Sequence, residues 1–111
     1  MLNRKAILQA NDLEATTVSV KEWGGDVLVR GLTSGERDQF EGSIGTDANL
    51  VNLRARLVVL TVVDEKGERL FKDQDAIALG KKNGQVVDRL FDISRNLSGM
   101  TDEAIAEIEK N

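Results

Sequence analysis

The chain has 111 residues and a formal net charge of −4, which is the length of one domain with a modest core and a large surface-to-volume ratio. His, Cys and Tyr are all absent and aromatics make up 4 %, so the core is aliphatic, and disulfides, the usual zinc ligand sets, thiol nucleophiles and imidazole acid–base chemistry are excluded. No run of about 18 apolar residues exists to span a membrane, the apolar part of the start is too short and polar for a signal peptide, and the scattered basic residues lack the clustering of a nucleic-acid surface.

In chain order, residues 4–10 favour a short helix ended by Asn11-Asp12. It is marginal alone, so Ile7 and Leu8 are expected to dock on the core. Thr16–Trp23 and Asp26–Leu32 flank Gly24-Gly25 and read as a β-hairpin with a two-residue turn. That turn sets Val20 opposite Val29 and places Val18, Val20, Val27 and Val29 on one face. Ser19, Lys21, Leu28 and Arg30 fall on the other. A lone hairpin is barely stable, so the valine face must lie on helices. Trp23 beside the turn is either a structural aromatic or an anchor for a partner.

Thr33-Ser34-Gly35-Glu36 matches a capping box and opens a helix with Phe40 and Ile44 on one face. Gly42, Gly45 and Thr46-Asp47 end it. The stretch from about Asp47 to Val62 is the aliphatic centre of the chain. Leu50, Leu53, Leu57 and Leu60 form one stripe at helical spacing, and Val51, Ala55, Val58 and Val62 a second. A helix is expected here, with a strand as the alternative for the β-branched tail Val58–Val63. Val59 and Val63 project from neither stripe. Either the fold wraps this helix on all sides or these valines meet another chain.

Asp64–Gly67 reads as a polar turn, with Leu70 and Phe71 pointing inward from the short extended piece that follows. Asp73 suits the N-cap of Gln74–Leu79, Gly80 its stop, and Asn83 the cap of a helix carrying Val86, Leu90, Ile93 and Leu97. Thr101 then caps a last helix whose large apolar residues are Ile105 and Ile108, with Met100 and Ile105 placed for a hydrophobic staple. The fold class is α+β: mainly α-helical, one domain over residues 1–111, with a β-hairpin at 16–32 packed on a helical part at 33–110.

The carboxylates of Asp73, Asp75, Glu103, Glu107 and Glu109 are the residues most able to bind a cation or act as acid and base, but they lie at helix starts or exposed faces, where acids serve capping and solubility. Residues 64–68 lack the alternating ligands of a calcium loop, and residues 80–84 lack the order of a phosphate loop. No catalytic residue, metal site or cofactor is assigned. The residues point to a domain that works by apolar contact, with Trp23, Val59, Val63, Ile105 and Ile108 as the partner-binding candidates.

Taken together, Lys5–Leu8, Asp12-Leu13, the run VSVKEWGG at 18–25, Val27–Thr33 and Glu36–Glu41 resemble the tail assembly chaperones of long-tailed bacteriophages. So do Asn52–Leu57, Leu60, Val63–Gly67, Arg69–Phe71, Asp75, Leu79-Gly80, Leu90-Phe91 and Leu97–Gly99 in the second half. Lys72 departs from the pattern where a Ser or Thr helix cap is expected, and Lys21 where Pro is common. The resemblance implies a protein of the host bacterial cytoplasm, phage- or prophage-borne, without catalytic activity. It would coat the tape measure protein, help recruit tail tube subunits and be missing from the finished particle; self-association is expected separately, because helical stripes left open seek partners. It also implies a longer form made by ribosomal frameshifting. Glu109-Lys110-Asn111 is compatible with a slippery heptamer in the gene if encoded GAA AAA AAC. The alternatives are a minor structural tail or head–tail connector protein, a small acid–base or metal-dependent enzyme, and a nucleic-acid binder.

Overall fold

The computed structural model describes residues 1–100. The elements run α1 (Arg4–Gln9), β1 (Ala15–Val20), a 3-10 turn (Lys21–Trp23), β2 (Gly25–Arg30), α2 (Ser34–Ile44), α3 (Leu53–Thr61), β3 (Val62–Val63), α4 (Asp75–Leu79) and α5 (Gly84–Leu97). The architecture is α+β, as the residue pattern implies. The helix expected at Thr101, the Met100–Ile105 staple and the residues Ile105 and Ile108 lie outside the described residues.

The strands form one antiparallel sheet in the order β1-β2-β3. The hairpin is present, but its turn differs from expectation. Lys21–Trp23 wind into a 3-10 turn closed by Gly24 at φ 81°, so Val20 pairs with Gly25 and Val18 with Val27. A four-residue connection replaces the two-residue one and slides the register. The slide is by an even number of residues, so every side chain keeps its face. Val20 and Val29 are fully buried, and Val18 and Val27 pack against the same core.

The third strand resolves the ambiguity of the central stretch. Residues 53–61 are helical, while Val62 and Val63 extend and pair with Val29 and Leu28. Both readings of the tail are therefore right in part: the β-branched residues turn from helix to strand within one residue. The helix also begins later than expected. Ala48 and Asn52 adopt left-handed backbone conformations (φ 51° and 54°), and Arg56 holds the intervening loop by donating to the carbonyls of Asn49 and Val51 and to Ser43 Oγ. Leu50 and Val51 consequently leave the apolar stripes for the surface.

α3 is the hub. Leu53, Ala55, Leu57, Val58, Val59, Leu60 and Thr61 are all buried, with α2, α4 and α5 packed round it. Its buried polar residue Thr61 donates to Ser94 Oγ of α5 at 2.7 Å, and Ser94 Oγ in turn donates to the Leu90 carbonyl of its own helix at 2.7 Å. Both hydroxyls are thus satisfied inside an aliphatic core, where an unmet one costs about 1–3 kcal/mol. Gly31 lets β2 run against the end of α5. A Cβ there would stand 2.7 Å from the Leu97 carbonyl oxygen, and the next amide, Leu32 N–H, donates to Ser98 Oγ at 2.9 Å.

Helix boundaries follow local chemistry. Thr33 and Glu36 complete the capping box of α2, and Asn83 Oδ1 accepts from the Gln85 and Val86 amides at the start of α5. Asp73 does not cap α4. Arg69 and Gln39 engage its carboxylate instead, and the Asp75 side chain closes that turn by accepting from the Lys72 amide. α1 departs furthest from expectation: Asn3 caps it, yet none of its residues is buried. Ile7 and Leu8 do not dock on the core.

Candidate interaction surfaces

The candidate residues separate into three groups. Val59 of α3 and Val63 of β3 are each 2 % exposed, so the chain's own packing already covers them. Trp23 sits on the rim of the 3-10 turn with about a third of its surface in solvent. Beside it, Arg89 Nη2 donates to both oxygens of Glu22 at 2.9 Å and ties the turn to α5. The Glu22 carboxyl is held below its ordinary range by a backbone hydrogen bond and by this guanidinium. Ile105 and Ile108 are outside the described residues.

The exposed apolar residues lie elsewhere. Ile7 and Leu8 project from α1, Leu50 and Val51 from the loop before α3, Leu70 from the segment after β3, and Ile77 from α4. Sequence reasoning assigned Ile7, Leu8 and Leu70 to the interior because an apolar residue in a short element is normally a buried one. The signal that distinguishes α1 is its length. Six residues flanked by polar Asn11-Asp12 give too short a stripe to hold a helix against a core.

The outer face of the sheet carries a groove. Thr17, Leu28 and Val63 make a row across β1, β2 and β3 on the side away from the helices. Leu70 lies alongside, its amide bonded to the Val62 carbonyl at 3.1 Å, and is left half exposed. With Asp26, Asp64 and Glu65 these residues line a shallow cleft of about 510 Å³. Its floor is aliphatic and its rim is acidic. Asp64 is occupied in shaping its own turn, accepting from the amides of Lys66 and Glu68. Asp26 and Glu65 have no ion-pair partner among the described residues.

A second, smaller hollow of about 120 Å³ opens between α2 and α3, lined by Phe40, Val59, Leu60, Arg56 and Asp73 among others. Arg69 and Gln39 hydrogen-bond to Asp73 and keep its carboxyl ionised below the usual range. The charged groups here bind one another and the loop backbone, so this hollow is a structural joint. Among the described residues no group of three or more carboxylates is gathered as a metal site, and no helix is long and apolar enough to cross a membrane.

A family model described as phage tail assembly chaperone matches residues 2–111. The solved structure of the bacteriophage HK97 tail assembly chaperone superposes with a TM-score of 0.64 at 20 % identity, over 88 % of this chain and 95 % of that one. At that identity the likeness establishes a shared fold. No curated protein matches.

Proposed function

Because this chain belongs to the phage tail assembly chaperone family, we propose that it binds the tape measure protein while the tail is being built, keeps it soluble, and helps bring tail tube subunits to it. The observation that carries this reading is the family match over almost the whole chain. The surface supports it. Aliphatic side chains are left in solvent on α1, the loop before α3, the Leu70 segment and α4, while the interior is complete without them. A client with apolar stripes is best held by many weak copies acting together. Self-association is therefore part of the proposal, as are action in the host cytoplasm, absence from the finished virion and a longer frameshifted form. Trp23 remains a partner-binding candidate, with Ile105 and Ile108.

Co-expression with the tape measure protein is the test. The client is expected in the soluble fraction with this chain present and in the pellet without it. Equal precipitation in both rejects the reading. Mass spectrometry of purified virions separates the alternative of a structural tail or connector protein, which would be retained in the particle.

A further inference from the structure

The loop before α3 holds two aliphatic residues away from the helix they could have extended. Asn49–Val51 lie between Ala48 and Asn52, whose left-handed backbones (φ 51° and 54°) are uncommon for residues with a Cβ. Arg56 braces the loop by donating to the carbonyls of Asn49 and Val51 and to Ser43 Oγ. Leu50 and Val51 are left 43 % and 73 % exposed. Leu50 forms one wall of a groove of about 380 Å³, floored by Leu53, Leu79 and Val87 where α3, α4 and α5 meet. The rim of the groove is polar and cationic. Arg54 and Asp88 pair at 2.8 Å and neutralise each other. Lys82 in the lining and Lys81 next to it have no ion-pair partner among the described residues. In a chain of net charge −4 this local excess opposes the sign of the whole.

We propose that this groove docks an amphipathic helix of a partner protein, its apolar stripe against Leu50, Val51 and the floor, and acidic residues on the flank that faces Lys81 and Lys82. This rests on the reading above, and names the face and the chemistry by which a client segment is held. Residues of three helices and the loop line the groove, and none belongs to a strand. An extended peptide therefore finds no backbone ladder to join, and recognition falls to side chains, which a helix presents along one face. The lining holds no aromatic residue on which a nucleic-acid base could stack. The chain's own C-terminal residues continue from the opposite end of α5, whose fourteen residues set Leu97 about 20 Å from Gly84. The Arg56 brace fixes the two aliphatics outward before the partner arrives, which lowers the ordering cost of binding. Opposite charge selects the partner's flank and sets its direction in the groove. One such contact is weak, and a client that meets several copies is held by their sum.

The full chain, isotope-labelled, is titrated with two synthetic peptides of about 20 residues, long enough to be helical. Both carry leucines at helical spacing, one with glutamates on the flanks and the other with lysines. The acidic peptide is expected to bind about tenfold or more tighter than the basic one, with amide shifts confined to residues 50–55 and 79–88. Lys81→Glu/Lys82→Glu is expected to reverse that preference, and Leu50→Ser/Val51→Ser to weaken both peptides about tenfold. All four side chains are exposed, so circular dichroism is expected to show folded variants, and a purely structural role predicts no reversal. Failure of both peptides to bind, equal binding of the two, shifts elsewhere, or a preference the lysine variant keeps each overturns the proposal. Two outcomes give the groove to another occupant and also overturn it. In the first, the acidic peptide binds only after Ile105→Ser/Ile108→Ser, which assigns the groove to the chain's own C-terminal residues. In the second, Leu50→Ser/Val51→Ser abolishes self-association while the peptide never binds, which assigns it to a second copy. Client solubility is scored separately. A tape measure protein that precipitates beside a chain that binds the acidic peptide rejects the chaperone reading and leaves the groove standing. One kept soluble equally by wild type and both groove variants rejects the groove and leaves the reading standing.

Discussion

α1 and α3 are both short helices with aliphatic residues, and the structure treats them in opposite ways. α1 buries none of its six residues, whereas α3 buries seven of its nine. Neither fate follows from helix propensity, since isolated helices of this length are marginal in water. α3 is apolar almost all round, so it is stable only where neighbours surround it, and α2, α4 and α5 supply them. α1 has two large aliphatic residues and two cations in one and a half turns, and the core closes without it. Stability is thus assigned to one of the two segments and not to the other. A segment that contributes nothing to the fold is free to be selected for what it contacts outside it.

The largest expected effect comes from breaking the buried member of the pair. Leu57 is fully buried at the middle of α3. Leu57→Ala removes its methyl groups and leaves a cavity, and such truncations cost about 2–5 kcal/mol. In a domain of this size each kcal/mol is worth about 4–8 °C in Tm, so thermal unfolding should show a drop of tens of degrees or a chain that no longer folds. A change of only a degree or two would mean that α3 is not the hub its burial indicates.

The same contrast marks what the residue pattern could and could not convey. The hairpin, the valine face, the α2 capping box, the Asn83 cap and the stripe of α5 were legible because each is a local rule acting on adjacent residues. The sliding register was not. Gly24-Gly25 supports a two-residue turn, but the Lys21–Trp23 turn takes one glycine for its left-handed cap and leaves the other in β2. The start of α3 was hidden because Arg56, a distant side chain by helix standards, organises the loop that Leu50 and Val51 occupy. The burial of Val59 and Val63 depended on neighbours from other elements, so sequence could only pose the alternatives. Leu70 was assigned inward because the outer sheet face, which it borders, exists only once β3 pairs with β2.

An intermediate effect is expected at the joint between sheet and helices. Arg30 donates two hydrogen bonds to Glu36, at 2.7 and 3.0 Å, with both side chains largely buried, and the Thr33 amide donates to the same carboxylate. Burial alone raises the Glu36 pKa, but the guanidinium and the amide outweigh it and hold the carboxyl below its ordinary 4.5. A depressed folded-state value stabilises the fold fully above the unfolded value. That contribution is lost as pH falls through the folded one. Glu36→Gln should cost about 1–3 kcal/mol at neutral pH, as a partner lost from a partly buried charged hydrogen bond does. Below pH 4.5 the gap between wild type and variant should shrink. Asp73 and Glu22 are depressed too and remain in both proteins, so the diagnostic is the difference between the two denaturation profiles. A gap that stays constant down to the lowest pH would remove Glu36 from the joint.

The smallest effect on stability is expected at the exposed member of the pair, and it is the one that sharpens the comparison most. Ile7→Ser/Leu8→Ser alters two side chains that are more than half in solvent, and substitutions at such positions usually lie within about 0.5 kcal/mol. Tm should hold to within a few degrees, while self-association, read by light scattering as average mass rising with concentration, should be lost. A Tm fall approaching that of Leu57→Ala would show that in solution the arm packs on its own body, and the division between a folding segment and a contacting one would fail. Unchanged Tm with unchanged association would instead place the contact on other exposed aliphatics, such as Val51 and Ile77. Only the remaining combination, a stable chain that no longer assembles, is what an arm with no role in its own core must give.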